Sequence, residues 1–193
     1  MDYGPAALVN TMDNLKSRGV LYVRAGNNIN EAFAPKYLNY KNTIIAFLAF
    51  NDIENWFADA TDYSAGSAFF NKERIQNSLK EANEKADIVI VMPHWGIEYS
   101  LTNSPRQQEF GYFFIDNGAD VVIGAHPHVE QNEEEYNGKN FYYSLGNFVF
   151  DDMCPIPNAC DASIVEVIIE NKQLISSSSI KVKLQDNGYP ELK

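Results

Sequence analysis

Residues 87–96, DIVIVMPHWG, contain an apolar run rich in β-branched side chains that is followed by a histidine. Residues 87–92 have the composition of a buried strand. Residues 120–128, DVVIGAHPH, repeat the arrangement and end in His126 and His128. Open α/β sheets usually place their ligands beyond the carboxyl ends of strands. The two stretches therefore predict one sheet edge that presents all 3 histidines of the chain.

Helical segments precede both of these strands. A helix is predicted at 69–86, and Ser104 with Pro105 opens a second helix that Gly118 closes before the strand at 120–124. The apolar face of this second helix is formed by Phe110, Phe113 and Phe114. Alternating strands and helices predict an α/β fold.

The first 66 residues predict a further helix and two strands. The helix begins near Pro5 and stops at Gly19, and its apolar face is formed by Leu8, Met12 and Leu15. A short strand is predicted at 20–23 and a buried strand at 43–50, followed by a surface loop at 51–66.

The C-terminal part predicts antiparallel strands. Asn137 and Gly138 form a turn signal before a strand at 141–145, and alternating segments follow at 163–170 and 175–184. With 193 residues and 45% hydrophobic content, the chain is expected to form a single domain over residues 1–193.

Charge and hydropathy exclude several classes of partner. The net charge of −11 disfavours nucleic acid and anionic membranes. We find no apolar run of roughly 18 residues and no signal-like start, so we expect this chain to be soluble, without a signal or anchor. The 2 cysteines, Cys154 and Cys160, lie in one loop, where they can form a short disulfide or remain unpaired thiols.

The clustered histidines are candidate metal ligands. Residues two apart on an extended segment share a face, so His126 and His128 can point to one side, and neutral imidazole binds divalent transition metals. Alone, His94 is more typical of a histidine that hydrogen-bonds its own loop. Its position beside the His126–His128 pair favours a shared metal site.

Three further polar residues are candidates for supporting roles. Glu98 can orient a ring or act as a general base, and Glu134 can orient a ring. Surface carboxylates are the alternative for both. Asn147 follows Gly146 after an aromatic strand and can bond the histidine loop or a ligand, the alternative being a β-bulge.

The motifs along the chain resemble one family in order and spacing. They are DYG at 2–4, AGNNINEA at 25–32, HWGIEY at 94–99, NGADVVIGAHPHV at 117–129, Gln131, Glu134, YNGK at 136–139 and YSLGNFVF at 143–150. Together they resemble the CapA family of poly-γ-glutamate capsule synthesis proteins. The resemblance extends to about Asp151.

This resemblance implies a fold and a metal centre. The family is similar to calcineurin-like metallophosphoesterases, with an α/β (α+β) four-layer αββα sandwich of two mixed sheets. It implies His94, His126 and His128 as ligands of divalent ions (Mn, Zn or Fe) and a dinuclear centre that activates a hydroxide. We assign Glu98 a catalytic role and place Asp2, Asn147 and Glu134 around the ligands.

The family pattern also contains segments that we do not find in this chain. They are a Gly-Asp strand end, an Asn-Leu-Glu-like segment and an Asn-Asn-His segment before DYG. We therefore expect a partial domain that lacks N-terminal strands and holds an incomplete centre. An exposed sheet edge then predicts either a homodimer or a rearranged sheet.

The leading functional hypothesis is a metal-dependent phosphoesterase or hydrolase-like domain in poly-γ-glutamate capsule biosynthesis, weak or inactive in this form. Its expected partners are an anionic polymer or phosphate ester and capsule synthase subunits. A non-catalytic scaffold that binds through Trp56, Phe57 and Tyr63 is the alternative, and a general phosphoesterase is a third. By resemblance, the parent protein is extracytoplasmic or membrane-anchored at the bacterial cell surface.

Overall fold

The structure, a computed structural model, describes residues 3–53, 58–151 and 155–193. Its helices and strands follow in the order α1 (Gly4–Ser17), β1 (Ala25–Gly26), α2 (Ile29–Phe33), β2 (Lys36–Tyr40), β3 (Thr43–Asn51), β4 (Gly66–Ser67), α3 (Lys72–Lys85), β5 (Ile88–His94), α4 (Pro105–Asp116), β6 (Val121–Ile123), β7 (Glu133–Tyr136), β8 (Lys139–Tyr142), β9 (Asp161–Glu170), β10 (Gln173–Leu184) and β11 (Pro190–Leu192). Within these ranges, no helix is both long and apolar enough to cross a membrane.

A six-stranded mixed sheet, in the order β2-β3-β5-β6-β8-β7, forms the centre of the fold. Strands β3, β5, β6 and β8 are parallel, and β2 and β7 pair antiparallel at the two edges. Helices α3 and α4 make the crossovers from β3 to β5 and from β5 to β6. The carboxyl ends of the parallel strands therefore meet at one edge, as the sequence predicts.

The apolar run of β5 is buried on both faces of this sheet. Val89 and Val91 pack into the main core, and Ile88 and Ile90 on the opposite face are also at most 5% exposed. The core beneath α3 and α4 is formed by large side chains that include Leu48, Phe50, Ile75, Leu79, Phe110, Phe114 and Phe141. Continuous burial explains why this strand lacks the polar alternation of a surface strand.

Helix α4 begins at a capping box. The Ser104 hydroxyl accepts a bond from the Gln107 backbone, and the Gln107 side chain accepts one from the Ser104 backbone. Pro105 occupies the first turn, where its missing N–H has no cost. The helix ends before Gly118, whose φ of 96° is left-handed.

A second sheet, in the order β11-β10-β9, is antiparallel throughout its described strands. The Tyr142 hydroxyl and the Asn140 amide hydrogen-bond Ser177, which joins this sheet to β8. The predicted α/β (α+β) fold class with two main sheets is confirmed. The assignment of residues 1–193 to a single domain stays a prediction.

Two predictions about the N-terminal half need correction, and one strand was missed. The strand predicted at 20–23 is wrong, because Val20 and Leu21 are exposed and the strand β1 lies two residues beyond this range. Helix α3 begins at Lys72 rather than at residue 69, since the Asn71 side chain caps it. Strand β2 was not predicted, although Leu38 and Tyr40 make it an exposed edge. The predicted homodimer through a sheet edge stays a prediction.

Some predictions fall outside the described residues. Trp56 and Phe57, proposed as binding aromatics, lie there, as does Cys154. Tyr63 is described and is 98% exposed. Cys160 is disulfide-bonded.

Candidate metal centre

Backbone hydrogen bonds join the two histidine loops. His94 is the last residue of β5, and the amide of Trp95 donates to the Ala125 carbonyl at 3.0 Å. In return, the Ala125 amide donates to the Pro93 carbonyl at 3.0 Å. Further along, the Tyr99 amide donates to the Pro127 carbonyl at 2.7 Å. The loops are thus held together along their length.

This pairing brings the three histidines to one place. The ring centroids of His94 and His126 are 4.7 Å apart, and those of His126 and His128 are 6.1 Å apart. One ligand atom from each of Glu98, His126 and His128 lies within 4.8 Å of the other two. The three residues whose ligand atoms converge are therefore Glu98, His126 and His128. His94 lies next to this group, beside the ring of His126.

The backbone at His126 and His128 differs from the extended segment that the sequence predicts. Their φ angles are 108° and 62°, so two bends, and not strand alternation, bring the rings together. Left-handed φ at a non-glycine residue costs about 1–3 kcal/mol and is concentrated at functional sites. The loop conformation is stabilised by the hydrogen bonds around it.

Neighbouring side chains fix the ring of His128. Its Nδ1 lies 2.8 Å from the Asn147 side-chain oxygen. The Tyr99 ring stacks on it with centroids 6.0 Å apart, and the Phe150 ring meets it edge-on at 5.6 Å. Asn147 thus contacts the histidine loop, which is one of the two alternatives that the sequence left open.

Trp95 anchors the first loop in the core. Its side chain is fully buried, and its Nε1 donates to the Tyr143 carbonyl at 2.8 Å. At Gly124, an added Cβ would lie 2.4 Å from this Nε1 and 2.1 Å from the Tyr143 oxygen. Gly124 is therefore required for the close approach of the two strands just before His126.

The electrostatics of the site favour neutral imidazoles. Burial, and then the charges of Arg24, His126 and His128, lower the pKa of His94 to about 3. Burial also lowers the pKa of His126, although Glu98 opposes this shift. Both rings are thus neutral near pH 7, and a neutral imidazole has the lone pair that a metal ligand requires.

Glu134 does not contact the histidines among its described hydrogen bonds, which corrects its predicted position. Its carboxylate accepts bonds from the Tyr112 hydroxyl at 2.5 Å and the Tyr143 hydroxyl at 2.8 Å. The cause is its place on β7, where it faces helix α4. Asp2, the other residue predicted around the ligands, lies outside the described residues.

Two residues near the site were missed by sequence reasoning. Tyr99 lies within the HWGIEY motif and covers His128, so an aromatic residue in a histidine loop was the available signal. Arg24 lines a pocket together with His94. We found no motif that marks it.

Comparison with known proteins identifies the family. The profile of the bacterial capsule synthesis protein PGA_cap matches residues 1–152. The chain is 36% identical over 154 residues to the capsule biosynthesis protein CapA of Bacillus anthracis, covering 78% of this chain and 38% of that protein. It is 36% identical over 152 residues to the PGA biosynthesis protein CapA of Bacillus subtilis (strain 168), covering 78% and 40%.

A solved structure that it resembles is that of the NAD nucleotidase NadN of Haemophilus influenzae, with a TM-score of 0.45 and 9% identity over 90% of this chain and 33% of that one. The chain spans 38% and 40% of the two CapA relatives. Since the PGA_cap profile covers residues 1–152 of 193, the chain belongs to the bacterial capsule synthesis protein PGA_cap family.

Proposed function

We propose that the chain contributes a divalent-metal site to a metal-dependent phosphoesterase or hydrolase-like domain that serves poly-γ-glutamate capsule synthesis. The convergence of Glu98, His126 and His128 within 4.8 Å supports this proposal. His94 adjoins the group, with its ring centroid 4.7 Å from that of His126. Family membership and the printed names of the relatives support the link to capsule synthesis.

The donor set fits a first-row transition metal. Imidazole nitrogens suit Zn, Fe and similar ions, and a carboxylate oxygen adds affinity for Mn. Catalytic zinc sites commonly use three protein ligands and leave a position open. Glu98, His126 and His128 offer three ligand atoms within 4.8 Å of one another, and His94 lies beside them.

The chain's own residues orient the ligands. Asn147 fixes the His128 ring, and the paired loop backbones hold His94 beside His126. A divalent ion supplies Lewis acidity and a water of lowered pKa when it is bound. Glu98 is exposed, so it can either ligate or accept a proton from a substrate-side water.

Metal titration tests the proposal. Mn²⁺ and Zn²⁺ affinities are measured by calorimetry for the wild type and for His94→Ala, His126→Ala, His128→Ala and Glu98→Gln. We expect at least tenfold weaker binding for the His126, His128 and Glu98 variants, and unchanged binding for Glu84→Gln on the exposed surface of α3. Equal affinity of all variants would refute the site, as would a wild type that binds neither ion.

A non-catalytic scaffold is the second candidate, and the apolar surface around the loops favours it. Exposed apolar side chains follow His94 in the chain at Ile97 and Leu101, and Phe148, Val149 and Phe150 are exposed in the segment that contacts His128 through Phe150. Exposed apolar side chains that are contiguous are typical of a surface that binds a macromolecule. Capture of a capsule synthase subunit or of polyglutamate in the presence of EDTA, with no turnover of polymer or of a chromogenic phosphate ester with Mn²⁺, would favour the scaffold.

A further inference from the structure

A second, smaller feature adjoins the histidines. A pocket of about 250 Å³ opens beside His94, and its polar lining consists of Arg24, Asn51, Ser67 and His94. Asn51 and His94 are register partners at the ends of β3 and β5, so the pocket lies at the same sheet edge as the candidate metal centre. Its remaining lining is mostly apolar.

Arg24 is held in this pocket by an unusual backbone. Its φ of 72° is left-handed, and its carbonyl accepts a bond from the Ala68 amide at 2.9 Å. Such a conformation at a non-glycine residue persists only where the surroundings impose it. The surrounding fold therefore holds the Arg24 backbone in this conformation.

The charge of Arg24 is uncompensated among the described residues. The guanidinium is half-buried, and burial lowers its pKa, but arginine stays protonated at any physiological pH. Within the described ranges, no carboxylate forms an ion pair with it. A partly desolvated cation without an ion-pair partner among the described residues is stabilised when an anion occupies the pocket beside it.

Ser67 also lines this pocket. Its Oγ is buried and has no hydrogen-bond partner among the described residues. Ser67 pairs in register with Ala25, the neighbour of Arg24, and both Arg24 and Ser67 line the pocket. Asp59 forms an isolated backbone bridge with Ser67 and does not line the pocket.

We propose that Arg24 forms an anion subsite that takes a carboxylate or phosphate end group of the substrate. The planar guanidinium fork donates two parallel bonds to such a group. The pocket is smaller than the roughly 300–1,000 Å³ of sites that enclose whole small molecules, so it holds an end group only. In a chain of net charge −11, this local cation offsets the general repulsion of an anion.

The subsite deepens the proposed function, because an end group bound at Arg24 places the adjoining bond of the substrate toward His94. Anion binding itself requires no metal. The two proposals can therefore fail separately.

Binding of inorganic phosphate and of L-glutamate to EDTA-treated protein tests the subsite. Affinities are measured by calorimetry for the wild type, Arg24→Gln and Arg24→Lys, with exposed Arg18→Gln as the control for loss of one positive charge. We expect Arg24→Gln to bind the preferred anion roughly 10- to 100-fold more weakly, Arg24→Lys to be intermediate, and Arg18→Gln to be unchanged. Preference for phosphate indicates a phosphate ester, and preference for glutamate indicates the end of a polymer.

A measurement on the wild type tests the subsite even if a variant fails to fold. The Arg24 Nε–H resonance should shift on addition of the bound anion. Wild-type protein that binds neither anion, or an Arg24→Gln variant that is folded and binds as tightly as the wild type, would overturn the subsite. Mn²⁺ affinity is measured in parallel, so loss of metal binding alone counts against the metal centre and not against the subsite.

Discussion

The Asn147 side-chain oxygen lies 2.8 Å from His128 Nδ1, while the Asn147 amide nitrogen donates to the carbonyls of His128 and Ala159 at 3.0 and 3.1 Å. Because the nitrogen is used by two carbonyls, the oxygen must be the acceptor for the ring. His128 Nδ1 therefore carries the proton, and Nε2 keeps its lone pair. This contact selects the tautomer that can bind a metal through Nε2.

Replacement of Asn147 by alanine is expected to weaken Mn²⁺ or Zn²⁺ binding by about 10- to 100-fold, because the ring of His128 loses its orienting partner. Calorimetric titration measures the effect. Asn83→Ala is the control, since Asn83 hydrogen-bonds backbone carbonyls between α3 and the end of α4, away from the histidine loops. Equal metal affinity of wild type and Asn147→Ala would contradict the orienting role.

Trp95→Phe tests the anchor of the first histidine loop. The change keeps an aromatic ring but removes the Nε1 donor, which leaves the buried Tyr143 carbonyl without this bond. We expect a loss of about 1–3 kcal/mol in the free energy of unfolding. Urea unfolding followed by circular dichroism measures it, and a midpoint equal to that of the wild type would show that the bond contributes nothing to stability.

The central strands were predictable because a strand that is buried on both faces consists of consecutive apolar residues. Residues 44–50 and 88–92 are uninterrupted apolar runs, and they lie within strands β3 and β5 of the structure. Strand β2 was not predictable in this way, since its turn uses Lys41 and Asn42 at φ of 49° and 65° in place of the glycine that usually signals such a turn.

The candidate site was predictable only in part, for a similar reason. The position of each histidine after a strand follows from local sequence. The bends at His126 and His128 depend on contacts with a distant loop, and the place of Arg24 depends on the pairing of β1 with β4. Glu134 was misplaced because its partners, Tyr112 and Tyr143, are brought to it by tertiary packing.

The decrease in the free energy of unfolding at acid pH is expected to depend on Glu134. Burial raises the pKa of this carboxyl, but bonds from Tyr112, Tyr143 and Gln108 outweigh it, and the pKa in the folded state lies below its ordinary value. A carboxyl with a depressed pKa stabilises the fold above its unfolded pKa, and this stability is lost as the pH falls through the folded pKa.

Glu134→Gln should therefore lose stability at pH 7 and show a smaller fall in the free energy of unfolding between pH 7 and pH 3. Urea unfolding at a series of pH values measures both. Glu135→Gln, at an exposed position of the same strand, serves as the control. If the free energy of unfolding of Glu134→Gln falls between pH 7 and pH 3 as much as that of the wild type, another group causes the loss of stability in acid.

The ion pair between Arg106 and Asp52 links helix α4 to the strand end beside His94. Arg106 Nε and one terminal nitrogen donate to the two Asp52 oxygens at 2.7 and 2.6 Å, and the Asp52 side chain is 6% exposed. The Asp52 amide in turn donates to the His94 carbonyl at 2.9 Å. Arg106→Lys keeps the charge but loses the fork, so we expect a loss of about 1–3 kcal/mol in the free energy of unfolding.

The matched control is Lys85→Gln, which breaks an exposed pair with Glu81 within α3. Such exposed pairs contribute little to stability. Urea unfolding of both variants, at low salt and at 1 M NaCl, compares the two pairs. Because Asp52 is shielded from solvent, salt should reduce the effect of Arg106→Lys less than that of Lys85→Gln. If both effects were small and equally sensitive to salt, the fork would be no more than a surface contact, and the strand end beside His94 would owe its position to the backbone pairing alone.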